Sequence, residues 1–225
     1  MQPTPPRQAD SSNPSGQQLS VLRKKTDWRQ LYFYQKADTL FQLTYIFCRK
    51  FLPPHGDRTV DQMVQAARSG KQNIVEGSED GMTSTEMEIR LLNAARGSLQ
   101  ELQRDYIDYL HTRQLPVWDE TNERYQPLLD YCRRHNKYSD YEPFSSQMND
   151  EEFANLCYSL CRITDRMMET YLKRLEKEFI TEGGIKERMH RARTGYREKE
   201  LQRLAFLENE GLRLQTILKN HGIEF

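Results

Sequence analysis

Residues 67–78, ARSGKQNIVEGS, decide how this chain is read, because the SGK triplet within them looks like a phosphate loop while the flanking pattern is helical. A phosphate loop needs a glycine five residues before Gly70 and a Ser or Thr after Lys71, so that backbone N–H groups wrap phosphates and a hydroxyl reaches magnesium. Those positions hold Gln65 and Gln72, and the segment upstream is a polar helical pattern opened by Asp57 rather than a buried strand. The stretch therefore reads as a place where helices press together. At 100° per residue, Ala66, Gly70, Asn73 and Gly77 fall on one narrow line, as do Ala94, Ser98, Glu101 and Asp105 on the next helix, beside Leu91, Ala95 and Leu102. Small side chains let helix axes approach closely. The polar members need partners if buried, and the Asn73 amide donating to the Glu101 carboxylate is the pairing expected. Glu76, an acid close to the expected end of its helix at Gly77, opposes the helix dipole. Arg90 or Arg96, from the same or a neighbouring subunit, is expected to compensate it unless it is simply solvated.

Outward from this stretch, four long amphipathic helices follow. The first runs from an N-cap at Asp27 to Leu52, with Tyr34, Ala37, Phe41, Thr44, Cys48 and Phe51 in helical spacing, and stops at Pro53 and Pro54. The second runs from about Asp57 to a glycine cap at Gly77. The third is capped by Thr83 or Ser84, Thr83 with Glu86 fitting a capping box, and reaches about Arg113 before Pro116. A polar connection at about 114–149 carries a short helical candidate, 122–134, and the turn-rich KYSDYEPFSSQMND. The fourth long helix runs from Asp150 to about Thr181, where Gly183 and Gly184 break it. The expected fold is all-α: an antiparallel up-down four-helix bundle over 27–182, a disordered tail over 1–26 rich in Pro, Ser and Gln, and a helical suffix over 183–225 interrupted at Gly211.

Composition narrows the functions. Charged residues are 29 % of the chain but balance at a net charge of zero, so affinity for nucleic acid or membrane must come from local patches. The N-terminus lacks the apolar core of a signal peptide and no apolar run spans a bilayer, which predicts a cytoplasmic protein with no membrane partner. Cys48, Cys132, Cys157 and Cys161 then stay reduced. Cys157 and Cys161, one turn apart beside Leu160 and Thr164, read as buried core rather than a metal site, since no Cys/His spacing of zinc type occurs. The five histidines show no recurrent catalytic spacing, and nothing calls for a cofactor, so no enzyme is expected.

The suffix is the most basic part. From Ile185 to Arg203 it holds seven Lys or Arg against three acids. On a helix, Ile185, Met189, Ala192 and Tyr196 share an apolar line, and Lys186, His190, Arg193 and Arg197 a second line about 100° away. Docked by its apolar edge, such a helix presents Lys186, Arg188, Arg191, Arg193 and Arg197 to phosphates, with Tyr196 available for stacking. The bland reading is a solvated face helped by the pair Glu187 and Arg191, with Gly195 weakening the helix.

Gln62, Ala66, Ala67, Ser69, the run Asn73-Ile74-Val75-Glu76-Gly77, and then Ala95, Gly97-Ser98-Leu99 and Glu101-Leu102 resemble the signature of the four-helix-bundle proteins named for the intervening sequences of 23S rRNA genes, the S23 family. Phe51-Leu52-Pro53 fits as well. The resemblance covers about residues 28 to 113 closely and the fourth helix loosely. Glu182-Gly183-Gly184-Ile185 with Glu187-Arg188-Met189 resembles the suffix domain of one branch of that family. The resemblance implies bacterial proteins forming rings, typically pentamers, with a seam here at Ala66, Gly70, Asn73, Glu76, Gly77, Ser98 and Glu101. The related accessory variability proteins of diversity-generating retroelements bind nucleic acid and a reverse transcriptase, but the neutral charge, long connection and tail of this chain depart from the short, basic relatives. Two functions follow as expectations: a non-enzymatic oligomeric scaffold binding RNA, DNA or a ribonucleoprotein, or a protein-interaction module docking a partner enzyme through its suffix.

Overall fold

The computed structural model describes residues 21–23, 27–53 and 58–222. Asp57, Pro54 and nearly all of the expected tail lie outside them. The described residues are helical, with no strand among them. A short turn of 3₁₀ helix, Trp28–Gln30, capped by Asp27, leads into α1 (Tyr32–Phe51); then follow α2 (Arg58–Asp80), α3 (Thr85–Thr112), α4 (Tyr125–Arg134), the one-turn α5 (Glu142–Ser145), α6 (Asp150–Glu182) and α7 (Ile185–Asn220). The chain divides into two compact units. The larger is Leu22–Glu187, and the other takes Val21 and the residues from Arg188 onward.

In the larger unit α1 packs against α2 and α6, and α3 packs against the same two helices. Their apolar stripes meet in one core, with Leu40, Leu43 and Phe47 of α1, Met63 and Ile74 of α2, Leu92, Leu99 and Tyr106 of α3, and Phe153, Leu156 and Leu160 of α6 all buried. Phe47 is its aromatic centre, edge-on to Tyr106 and Tyr109 and tilted against Phe153. Cross-helix polar contacts fix the register. The Tyr106 hydroxyl donates to Thr44 Oγ1 at 2.9 Å, and Arg96 donates from Nε and Nη2 to both oxygens of Asp165 at 2.8 and 3.2 Å. Arg23 ties its segment to α3 and α6 through Glu88 at 2.5 Å and Glu178 at 2.8 Å, and the Tyr171 hydroxyl donates to the same buried Glu88.

Helix ends follow local chemistry. Asn149 and Glu152 exchange side-chain-to-backbone bonds at 2.8 and 3.1 Å, a capping box that starts α6 one residue past the cap. Gly183 stops α6 with φ +75°, a conformation that excludes most other residues. Ser84, not Thr83, caps α3 by accepting from the Met87 N–H at 3.1 Å; the Thr83 hydroxyl instead donates to the Asp80 carbonyl. The connection after α3 is ordered by α1. The Lys36 ammonium donates to the carbonyls of Cys132 and His135, and Thr39 to that of Asn136, closing the C-terminal end of α4.

Two expectations about glycine are corrected. Gly77 does not cap α2, which continues to Asp80 with the tight turn 81–84 after it. Gly77 is buried where α2 crosses α3: a Cβ there would lie 3.2 Å from Leu91 Cβ, and one at Gly70 would lie 2.9 Å from Leu99 Cδ2. Gly211 does not interrupt α7, which runs unbroken for 36 residues. Intrinsic propensity is only about 1 kcal/mol against glycine, too little to break a long helix by itself.

Candidate functional site

The opening stretch lies wholly inside α2. Ala66, Gly70 and Gly77 are buried, so these three members of the expected seam pack within the chain; Asn73 and Ser98 are half-buried and Glu76 and Glu101 exposed. Gly70 faces Ala95 and Leu99, and Gly77 faces Glu88 and Leu91, so α2 and α3 run antiparallel with residue numbers of facing positions falling as their partners rise. In that register Asn73 sits about level with Ala94, and Glu101 with Ala66. Glu101 indeed shares a cleft with Gln65, Ala66 and Ser69, and no hydrogen bond joins it to Asn73. The expected Asn73–Glu101 pair is off by about two turns, because a helical wheel gives the face but not the height. Glu76 has no arginine partner among the described residues, since Arg96 is committed to Asp165 on α6. Lys71, the would-be phosphate-loop lysine, pairs with Asp38 of α1 at 3.1 Å and lies over the Phe41 ring.

The thiols are core groups. Cys48, Cys132, Cys157 and Cys161 are buried and in no disulfide, and Leu160 and Thr164 are buried beside the last two. Burial pushes the Cys132 thiol up to about 12 and those of Cys157 and Cys161 well above the ordinary range, so none supplies a thiolate at neutral pH. Asp105, beside the α2–α3 cleft, is also raised, by burial and then by Asp108 and Glu101.

The basic residues of the suffix lie on α7. Lys186, Arg191, Arg193 and Arg197 are exposed, and Tyr196 is 67 % exposed. Arg188 departs from the expectation: it is buried and its Nε donates to the Val21 carbonyl at 3.2 Å, so it is not presented to a ligand. Met189, Ala192, Arg193, Tyr196 and Arg197 form a shallow apolar groove with Val21. Farther along, Leu201, Phe206, Leu212 and Leu214 are exposed on the same helix.

Residues 29–137 match the family model described as 23S rRNA-intervening sequence protein. That span takes in α1, α2, α3 and α4, and ends before α6 and α7. No curated protein and no solved structure matches the chain. The similarity to the 23S rRNA-intervening sequence proteins therefore rests on the same helices whose motifs carry it in the sequence. Among the described residues no helix is long and apolar enough to cross a membrane, and no group of three or more metal-ligating side chains occurs.

A basic cleft between α3, α4 and α6 was not visible in the sequence. Its arginines come from three helices, and the one linear trace is the pair Arg162 and Arg166, one turn apart.

Proposed function

We propose that the protein is a non-enzymatic oligomeric scaffold that binds nucleic acid, alone or in a ribonucleoprotein, through phosphate contacts from α7. On this reading α1, α2, α3 and α6 form an antiparallel up-down four-helix bundle, and α7 is a suffix like that of one branch of the 23S rRNA-intervening sequence proteins. The likeness to that family supports a ring of copies, a pentamer, in the cytoplasm, and the retroelement relatives support a reverse-transcriptase-like partner. A ring multiplies the local positive charge of α7 that the neutral chain as a whole conceals.

The observation that carries this reading is the exposure of Lys186, Arg191, Arg193, Tyr196 and Arg197 along α7. Such contacts hold the phosphate backbone and do not read bases. Affinity should therefore fall steeply with salt. Four phosphate contacts to a single strand give a log–log slope of about −3, or about 50-fold weaker binding between roughly 50 and 200 mM salt. Replacing Lys186, Arg191, Arg193 and Arg197 with Gln should flatten that slope, and equal binding of a single-stranded RNA by the unaltered chain at both salt concentrations would contradict the mechanism.

The exposed apolar side chains of α7 favour a second reading, a module that docks a partner protein without nucleic acid. There, Met189→Ser with Tyr196→Ser abolishes partner binding and the four Gln substitutions do not.

A further inference from the structure

The cleft between α3, α4 and α6 has a volume of about 1040 Å³ and lies within the larger unit. Arg104 of α3, Arg133 of α4, and Arg162 and Arg166 of α6 line it, and all four are exposed. Three acids share the lining: Glu120, Asp165 and Glu169. Two of them are committed elsewhere. Asp165 is held by Arg96 at 2.8 Å, and Glu169 by Lys173 at 2.7 Å, and neither cation lines the cleft. Glu120 alone is left to face four guanidinium groups.

Those groups are available. Neither Arg104 nor Arg166 forms an ion pair among the described residues, and Asp105, next to Arg104 in the chain, lines the cleft on the α2 side of α3 instead. Arg133 pairs with Asp130 at 2.9 Å, but on an exposed surface such a pair is weak and yields readily to a better anion. Arg162 donates to the hydroxyl of buried Tyr125 at 3.0 Å, which fixes the guanidinium without neutralising it. A fork held in place in this way loses less freedom when it binds. Half-buried Leu129, Ile163 and Met167 complete the lining with apolar surface.

Guanidinium forks match phosphate oxygens in pairs, and an apolar wall beside them suits the face of a base. We propose that this cleft binds a nucleotide unit, its phosphate held by Arg104, Arg133, Arg162 and Arg166 and its base against Leu129, Ile163 and Met167. None of these residues belongs to α7. The unit can be a free nucleotide or one link of a strand, and both present the same chemistry.

The test uses the full chain carrying the four Gln substitutions in α7, so that the suffix contributes nothing, titrated with ADP, with a single-stranded dT oligonucleotide and with inorganic phosphate. Arg104→Gln with Arg166→Gln should weaken binding at least ten-fold while circular dichroism stays unchanged, since neither side chain is paired in the fold. ADP binding lost in this way assigns a free nucleotide, and oligonucleotide binding lost without ADP binding assigns a strand. Undiminished binding by the double variant, or no binding of either probe before the arginines are changed, overturns the proposal. Inorganic phosphate bound as tightly as ADP overturns the role given to the apolar wall. Oligonucleotide binding that disappears with the α7 substitutions alone supports the α7 reading and counts against the cleft.

Discussion

Lys36 is the residue whose environment differs most from what its type suggests. It is 1 % exposed, and its ammonium donates to the Cys132 carbonyl in the last turn of α4 and to that of His135 just past it, the second shared with the Tyr141 hydroxyl. Burial pushes it down to about 8. Lys36→Met keeps the length of the side chain but leaves the buried Cys132 carbonyl without its donor, and should cost about 1–3 kcal/mol in a denaturant titration. An unchanged midpoint would mean that the connection after α3 is not pinned from α1. Nothing in the local sequence distinguishes Lys36 from a surface lysine on an amphipathic helix. Its role depends on carbonyls nearly a hundred residues away, which a periodicity reading does not see. Arg188 fails in the opposite sense: it counts among the cations offered to phosphates although it lies outside their line on the wheel, and the fold turns it towards Val21.

Among the elements, helix existence and most helix ends were legible, because caps and breakers are local. Asn149, Ser84, Gly183 and Pro53 act within a few residues of where they stand, and the fourth long helix begins at Asp150 as its pattern indicates. Register was not legible. The Asn73–Glu101 pair was expected from matching faces, but the tight turn between α2 and α3 sets the height and opposes Glu101 to Ala66 instead. The same limit hid the arginine cleft, which exists only once α3, α4 and α6 are side by side. Gly211 bears on α7 in a testable way. It is exposed, and among the described residues nothing lies within 4 Å of the position a Cβ would take. Gly211→Ala should therefore stabilise α7 locally by about 1 kcal/mol, read as slower amide exchange around residue 211. Faster exchange there would show that glycine is needed for close approach of something outside the chain.

For the whole molecule, buried titratable groups predict a weakness at alkaline pH. Burial raises Cys132 to about 12 and raises Cys157 and Cys161 as well; it also raises Tyr109 and Tyr171 to about 12, with Tyr106 and Tyr141 raised too. A group whose folded pKa is raised stabilises fully below its unfolded value and loses that contribution as pH climbs towards the folded one. Lys36 has the opposite sign: between about 8 and its unfolded value of 10.5 the unfolded chain binds more protons, so this one group gains stability with pH. Three thiols and four phenols outweigh it. The denaturation midpoint should fall from about pH 8.5 to 11, where unfolded thiols and then phenols ionise, and a rise over that range would contradict the buried placement of these groups.

The central claim, an oligomeric scaffold that carries nucleic acid on α7, is tested most directly by the light-scattering mass of the purified full chain, with absorbance at 260 and 280 nm read across the same peak. An oligomeric scaffold carrying nucleic acid gives a mass several times 26.8 kDa and an excess at 260 nm that high salt removes. A monomer with the absorbance ratio of protein alone would contradict it.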